Sequence, residues 1–428
     1  MQHTRRKHTT LAASAALAVA GVSVLGACSS DDGSGSSDGA SGDAAGGTYT
    51  WWDPYPQHDG SSDWEARVQA CGEDAGVTIE RTAYDTTALT NQALLSAQEG
   101  TSPDVILIDN PAVSTLADTG MLTTVEEFGL DTSAIDQNLL DAGVVDGSAY
   151  GIPIGANTLS LYYNADVLSD AGVDPASITD WDSLTAALEQ VTGAGHKGIT
   201  FAGIGTEEGS FQFLPWFWGA GADLTDLSSP EAVEALELWT TWLDEGYAPN
   251  TVINNSQNTV WEEFLTGDFA FAENGTWQVN SAAEAEFETG IVQLPGKDGG
   301  VAPAPTGGEF IVAPVQEDTA RYDVTNQIVE CMTTPEGFVE TANTFAYYIP
   351  PTSEGQEALL TESAGDPDLT PWVEAVQNAK GRTSDGLGTD YPLISEALWT
   401  AVQNALSGAA TPAEALETAQ SEAESATS

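Results

Sequence analysis

Apolar residues recur along this chain at two spacings, and the switch between them divides it into elements. Thr48–Trp52 alternates as a short strand. Trp64, Val68 and Cys71 then fall on one helical stripe, opened by a capping-box pair, Ser62 and Glu65, and stopped by Gly76 after about Asp74. Val77–Ala83 reads as a second strand. Leu89, Leu94 and Leu95 mark a second helix ended by Gly100, with Pro103 beyond. Asp104-Val-Ile-Leu-Ile108 is a continuous apolar run, the pattern of a parallel strand covered on both faces. Strand, helix, strand, helix, strand in about 60 residues predicts a doubly wound α/β unit.

Further along, Tyr150–Ile154 and Ser160–Asn164 are strand-like, and helices then dominate. Trp181, Leu184, Leu188 and Val191 share a helical face behind Thr179 or Asp180 as cap. Ser229-Pro230-Glu231 opens a helix through Val233, Leu236, Trp239 and Leu243 that Gly246 ends, with Trp239 read as core. Phe269–Ala272, Ile291–Leu294 and Phe310–Ala313 are strands. Thr334-Pro335-Glu336 and Thr411-Pro412-Ala413-Glu414 open further helices, the last with a capping box.

The N-terminus follows another rule. Arg5, Arg6 and Lys7 precede an uncharged stretch, Leu11–Val24, too short to span a membrane and suited to an export signal. Leu25-Gly-Ala-Cys28 resembles a bacterial lipobox, which implies lipidation of Cys28 after removal of residues 1–27. Ser29–Gly47 contains only Ser, Asp, Gly and Ala, so residues 28–47 read as a lipidated flexible tether. The folded part is expected on the outer face of the cytoplasmic membrane, held by lipid alone.

Of 428 residues, 41% are hydrophobic, enough for one large or two medium cores. Ten basic residues stand against 65 acidic ones, a net charge of −55. With three of the ten basics in the leader, the charge rules strongly against nucleic acid and disfavours a polyanionic ligand. The acids are spread along the whole chain, which reads as solubility; a receptor for cations such as polyamines is the sharper alternative. Beside Cys28 stand Cys71 and Cys331, each on an apolar helical stripe. In an oxidising compartment they are either a disulfide or two separate core thiols.

Enzyme signatures are missing. There is no His-Glu-x-x-His motif, no Gly-x-x-x-x-Gly-Lys-Ser/Thr loop and no Gly-x-Ser-x-Gly elbow in the folded part. No cofactor or metal site is expected, and no catalytic residue. Carboxylate pairs leave a two-acid glycoside hydrolase open by residue type. What is abundant is aromatic: 12 Trp, 11 Tyr and 12 Phe. Aromatic planes cover the C–H faces of sugars, while short polar side chains bind the hydroxyls. Leaving such a buried polar group unpaired costs about 1–3 kcal/mol, which gives selectivity. Asp53, Tyr55 and His58 follow the first strand and Asp109 ends the third, at the edge where open α/β sheets bind ligands.

Gly151-Ile-Pro-Ile-Gly-Ala-Asn-Thr-Leu-Ser-Leu-Tyr-Tyr-Asn164, with Thr179-Asp-Trp-Asp-Ser-Leu184, Ser229-Pro-Glu231, Thr266-Gly-Asp-Phe-Ala-Phe-Ala-Glu-Asn-Gly-Thr-Trp277, Tyr391-Pro-Leu-Ile-Ser395 and Leu406-Ser-Gly408, resembles the extracellular solute-binding proteins of bacterial ABC importers, in the maltose/trehalose branch. The resemblance runs from about Thr48 to Ala419 and rests on the order and spacing of these runs. It implies an α/β two-lobe periplasmic-binding-protein fold of type II. The N-terminal lobe would comprise 48–156 plus 293–332, and the C-terminal lobe 157–292 plus 333–428. Crossings are placed near Gly155–Thr158, Ile291–Leu294 and Met332–Pro335. Cys71 and Cys331 then share one lobe, which favours the disulfide. The resemblance also implies a monomer that binds a sugar and works with membrane permease subunits. Trp277 matches a tryptophan that stacks on sugar, and Asp109 a hydroxyl-binding acid. Asn157 stands where sugar binders often carry a carboxylate. Glu309 lies on a loop that faces the cleft, and Arg382 resembles an arginine that grips hydroxyls. Tyr347, Phe211 and Gln257 complete the implied site with Asp53 and His58. Trp216, Trp218 and Trp399 are left between cleft and core.

Overall fold

The apolar run before Asp109 forms a strand whose neighbours alternate between two cores: Val105 and Leu107 pack with Trp51, Trp64 and Ile311, while Ile106 and Ile108 pack with Leu89, Val113 and Phe310. Burial on both faces is why this stretch carries no polar alternation. The computed structural model describes residues 47–428 except 346–347, 366 and 385, and omits the side chains of Thr86 and Thr87. The leader, Cys28, the tether before Gly47 and Tyr347 therefore lie outside the described residues. The described residues form one compact unit.

Among the described residues the strands are, in chain order, β1 (Thr48–Asp53), β2 (Thr78–Ala83), β3 (Val105–Asp109), β4 (Val144–Val145), β5 (Ser148–Ala149), β6 (Ile152–Pro153), β7 (Leu159–Asn164), β8 (Lys197–Thr200), β9 (Phe269–Gly275), β10 (Thr289–Val292) and β11 (Glu309–Val312). One sheet has the order β2-β1-β3-β11-β6, a second β10-β7-β9-β8, and β4 pairs with β5 in a small hairpin. β1 is parallel to β2 and β3, while β11 runs antiparallel to β3 and β6. In the second sheet β7 is antiparallel to β10 and β9, and β8 is parallel to β9. The strand expected at Ile291–Leu294 begins two residues earlier, because Thr289–Val292 is the stretch that pairs with β7.

Local chemistry accounts for most helix ends. Ser62 Oγ accepts from Glu65 N, but the reciprocal half of the expected capping box is absent, because the Glu65 carboxylate turns to Arg81 at 2.9 Å. Asp180, rather than Thr179, caps Trp181–Ala194, and Thr411 with Glu414 forms the full box. The helix Glu207–Gly219 has no amphipathic period: Gly209 through Trp218 are all buried, so there is no polar face to set one. Trp216, Trp239 and Trp242 are fully buried in the core beside the second sheet, and Trp218 packs with them. Cys71 and Cys331 are joined by a disulfide, tying the helix Asp63–Asp74 to Tyr322–Thr333.

Candidate ligand-binding site

The carboxyl ends of parallel strands in both sheets open on one cleft of about 1010 Å³. From the first sheet come Asp109 at the end of β3, Glu309 at the start of the reversed β11, and the loop after β1 with Tyr55 and His58. From the second come Gly205–Glu208 beyond β8 and Trp277 just beyond β9. Asn157, which bridges to Gly307 between the sheets, lines the cleft, as do Phe211, Gln257 and Arg382. The cleft thus collects His58, Asp109, Asn157, Phe211, Gln257, Trp277, Glu309 and Arg382. Trp399 lies on its wall, whereas Trp216 and Trp218 belong to the core.

Asp53 does not reach the cleft. Its carboxylate is fully buried and accepts from Trp51 Nε1 and Trp64 Nε1, each at 3.0 Å, and from Tyr55 N at 3.1 Å. Arg81 donates to both of its oxygens, and also to the carbonyls of Tyr55 and His58. The Asp53–Arg81 pair therefore positions the 54–58 loop rather than a ligand. Phe345 packs on that loop, 4.5 Å from the Tyr55 ring and 5.3 Å from His58. Burial, then the Arg81 charge, holds His58 below its ordinary pKa, with Asp53 pulling the other way.

Trp277 depends on its own motif. Its indole folds back over Gly275, where an added Cβ would stand 2.1 Å from the ring. The Asn-Gly-x-Trp spacing is thus a steric requirement. Phe211 lies 6.5 Å from the Trp277 ring, and the Arg382 guanidinium stacks 5.1 Å above Phe211.

Arg382 is only 3% exposed. Its Nη1 donates to Glu207 Oε1 at 2.8 Å, and Nη2 donates to Asp109 Oδ1 at 2.9 Å and Asn110 Oδ1 at 3.2 Å. Burial works against its charge, but Asp109 and Glu207 more than offset this and hold it ionised. Glu207 also accepts from Tyr391 Oη at 2.6 Å and Ser395 Oγ at 2.5 Å. Glu309 accepts from Tyr348 Oη at 2.9 Å, and Tyr348 shares a second hydrogen bond with Tyr55 Oη. Burial, then the Asp109 charge, pushes Glu309 up to about 7.

The model of the bacterial extracellular solute-binding protein family matches residues 66–371. This chain belongs to that family. It is a family of binding proteins, not of enzymes. The maltodextrin-binding protein MdxE of Bacillus subtilis is 26% identical over 280 residues, 59% of this chain and 60% of that one. A maltooligosaccharide ABC transporter solute-binding lipoprotein of Streptococcus pneumoniae is 24% identical over 295 residues, 62% of this chain and 68% of that one. The chain spans little more than half the length, 57%, of the first curated relatives it matches. The crystal structure of a cyclic alpha-maltosyl-1,6-maltose binding protein from Arthrobacter globiformis is 25% identical, with a TM-score of 0.75 over 88% of this chain and 98% of that one. The fold of this solute-binding protein is accordingly the α/β periplasmic-binding-protein fold. Among the described residues no helix is long and apolar enough to cross a membrane.

Sequence reasoning passed over Glu207, Tyr348 and Phe345, and left Trp399 undecided between cleft and core. Tyr348 adjoins the chosen Tyr347, which lies outside the described residues. The signal for Glu207 was a Thr-Glu-Glu helix start directly after Gly203-Ile-Gly205.

Proposed function

We propose that this protein is the receptor of an ABC importer, capturing an oligosaccharide in the cleft and delivering it to membrane permease subunits. The observation that carries this reading is the pairing within one cleft of aromatic planes (Trp277, Phe211, Phe345, Trp399) with Asp109, Asn157, Gln257 and Glu309. The planes suit the apolar faces of pyranose rings, and the polar groups suit their hydroxyls. The volume lies at the top of the usual range of small-ligand pockets, in keeping with several sugar units or an open cleft. The Bacillus and Streptococcus relatives are named for maltodextrin and maltooligosaccharide, which supports the same class here.

Ligand contacts from both sheets would favour a closed state by their differential affinity. In this reading the lobes are 48–156 plus 293–332 and 157–292 plus 333–428. A lipid on Cys28 and the tether to residue 47 keep the receptor on the outer face of the cytoplasmic membrane.

Titration with maltotriose and longer maltodextrins, followed by tryptophan fluorescence and by a rise in melting temperature, tests this. The sugar is expected to bind and be recovered intact. Recovery of cleaved sugar would overturn the receptor reading, and a response to spermidine or peptides alone would overturn the sugar reading. Exported protein labelled by radioactive palmitate in the wild type but not in Cys28→Ala is the expected result for the anchor.

A further inference from the structure

Nine of the twelve tryptophans are buried. Of the three half-buried ones, Trp52 packs edge-on against Tyr84, and Trp277 leans toward Phe211. Trp399 is the third. It lines the cleft, and among the described residues its side chain has no hydrogen bond and no ring partner. A single apolar side chain scattered on a surface needs no explanation. This one is held in place by its helix, inside the cleft.

The helix Tyr391–Leu406 carries Tyr391, Ser395, Trp399 and Gln403 along one stripe, each four residues after the last. Three of the four are tied down. Tyr391 Oη and Ser395 Oγ donate to the two carboxylate oxygens of Glu207. Gln403 Nε2 donates to the carbonyls of Gly203 and Ile253. Trp399 stands between these anchors and takes no part in them. Glu207 in turn links two aromatic surfaces. Arg382, bonded to its Oε1, lies over Phe211, which neighbours Trp277. Ser395, bonded to its Oε2, is one turn before Trp399, about 6 Å along the helix axis. Gln257 and Asn258 line the same cleft, and their side-chain amides have no hydrogen-bond partner among the described residues.

Resting on the sugar-receptor reading above, we infer that Trp399 is a second sugar platform, separate from Trp277 with Phe211, and that the cleft therefore selects oligosaccharides of three or more units over mono- and disaccharides. One unit covers Trp277, one covers Trp399, and at least one joins them past Glu207. Both ring faces leave water only when the sugar is long enough to reach both. The free amides of Gln257 and Asn258 supply donors and acceptors for its hydroxyls.

Isothermal titration calorimetry with maltose, maltotriose, maltotetraose and maltopentaose tests this on the wild type, Trp399→Ala and Trp399→Phe, with the melting temperature of each recorded. Maltose, the weakest, is measured by its competition with maltotetraose. In the wild type, affinity is expected to rise at least tenfold from maltose to maltotetraose. Trp399→Ala is expected to lose at least tenfold for maltotetraose and maltopentaose, but less than twofold for maltose. Trp399→Phe keeps a ring and is expected to recover most of that loss. A merely structural role would lower the affinity for every length together. An equal loss at every length, or a rise with length that survives Trp399→Ala, would overturn this inference and leave the sugar reading standing. Binding of spermidine with no sugar bound would overturn both.

Discussion

Arg382 and Glu207 stand 175 residues apart in the chain, yet Nη1 of one donates to Oε1 of the other at 2.8 Å beside the cleft. The same guanidinium reaches Asp109 at the end of β3, so one buried cation ties a strand end of the first sheet to a helix start beside the second. This is a strut. Its Nη1 and Nη2 both donate to protein acceptors.

Removing that strut leaves Asp109 and Glu207 without their counter-charge. Arg382→Leu is expected to lower unfolding free energy by about 3 kcal/mol, within the usual cost of breaking a buried pair. Arg382→Lys is expected to recover only part of this, because one ammonium cannot replace the two-pronged fork. Denaturant unfolding checks both, and an unchanged midpoint in Arg382→Leu would contradict the assignment.

Gly275 has an ordinary extended backbone, so alanine is tolerated by φ and ψ but not by the indole above it. Gly275→Ala is expected to displace Trp277 and weaken sugar binding about tenfold, roughly 1.4 kcal/mol, with little loss of stability. Fluorescence titration beside thermal melting separates the two effects.

The elevated Glu309 makes a pH prediction. Its folded pKa of about 7 exceeds the ordinary 4.5, so its stabilising balance is complete below about 4.5 and is lost as pH rises through 7. Glu309→Gln is therefore expected to match the wild type near pH 4.5. At pH 8 it should be more stable, by on the order of 2 kcal/mol. Paired denaturation curves at the two pH values measure the difference directly, independent of the general acidity of the chain.

The Cys71–Cys331 bond spans 260 residues of sequence, so it removes much freedom from the unfolded chain. Cys71→Ser with Cys331→Ser is expected to cost about 4 kcal/mol. Because the bond lies in the core behind the first sheet, ligand affinity at 25 °C is expected to change less than twofold.

Asp53→Asn is expected to destabilise by about 3 kcal/mol and to loosen the 54–58 loop, since it leaves Arg81 buried beside a neutral amide. Faster hydrogen exchange at Tyr55–His58 is the readout that distinguishes loop positioning from a general loss of stability.

What the sequence determined by itself is whatever depends on near neighbours. The β-α-β-α-β opening was legible because doubly covered strands, helical stripes and Gly stops are local patterns, as the division of Val105–Ile108 between two cores illustrates. The family runs extended that reading to the whole fold and named most of the cleft residues, while His58 and Asp109 were also legible from their places at strand ends, where such folds gather ligands. Tertiary structure alone decided the roles. Asp53 and Asp109 both end strands of one sheet, but Trp51, Trp64 and Arg81 close over the first, while the second faces the cleft. Glu207 gained its importance from Arg382, Tyr391 and Ser395, all more than 170 residues away. Which partner fills a side chain's hydrogen bonds is settled by long-range packing, and no spacing along the chain encodes it.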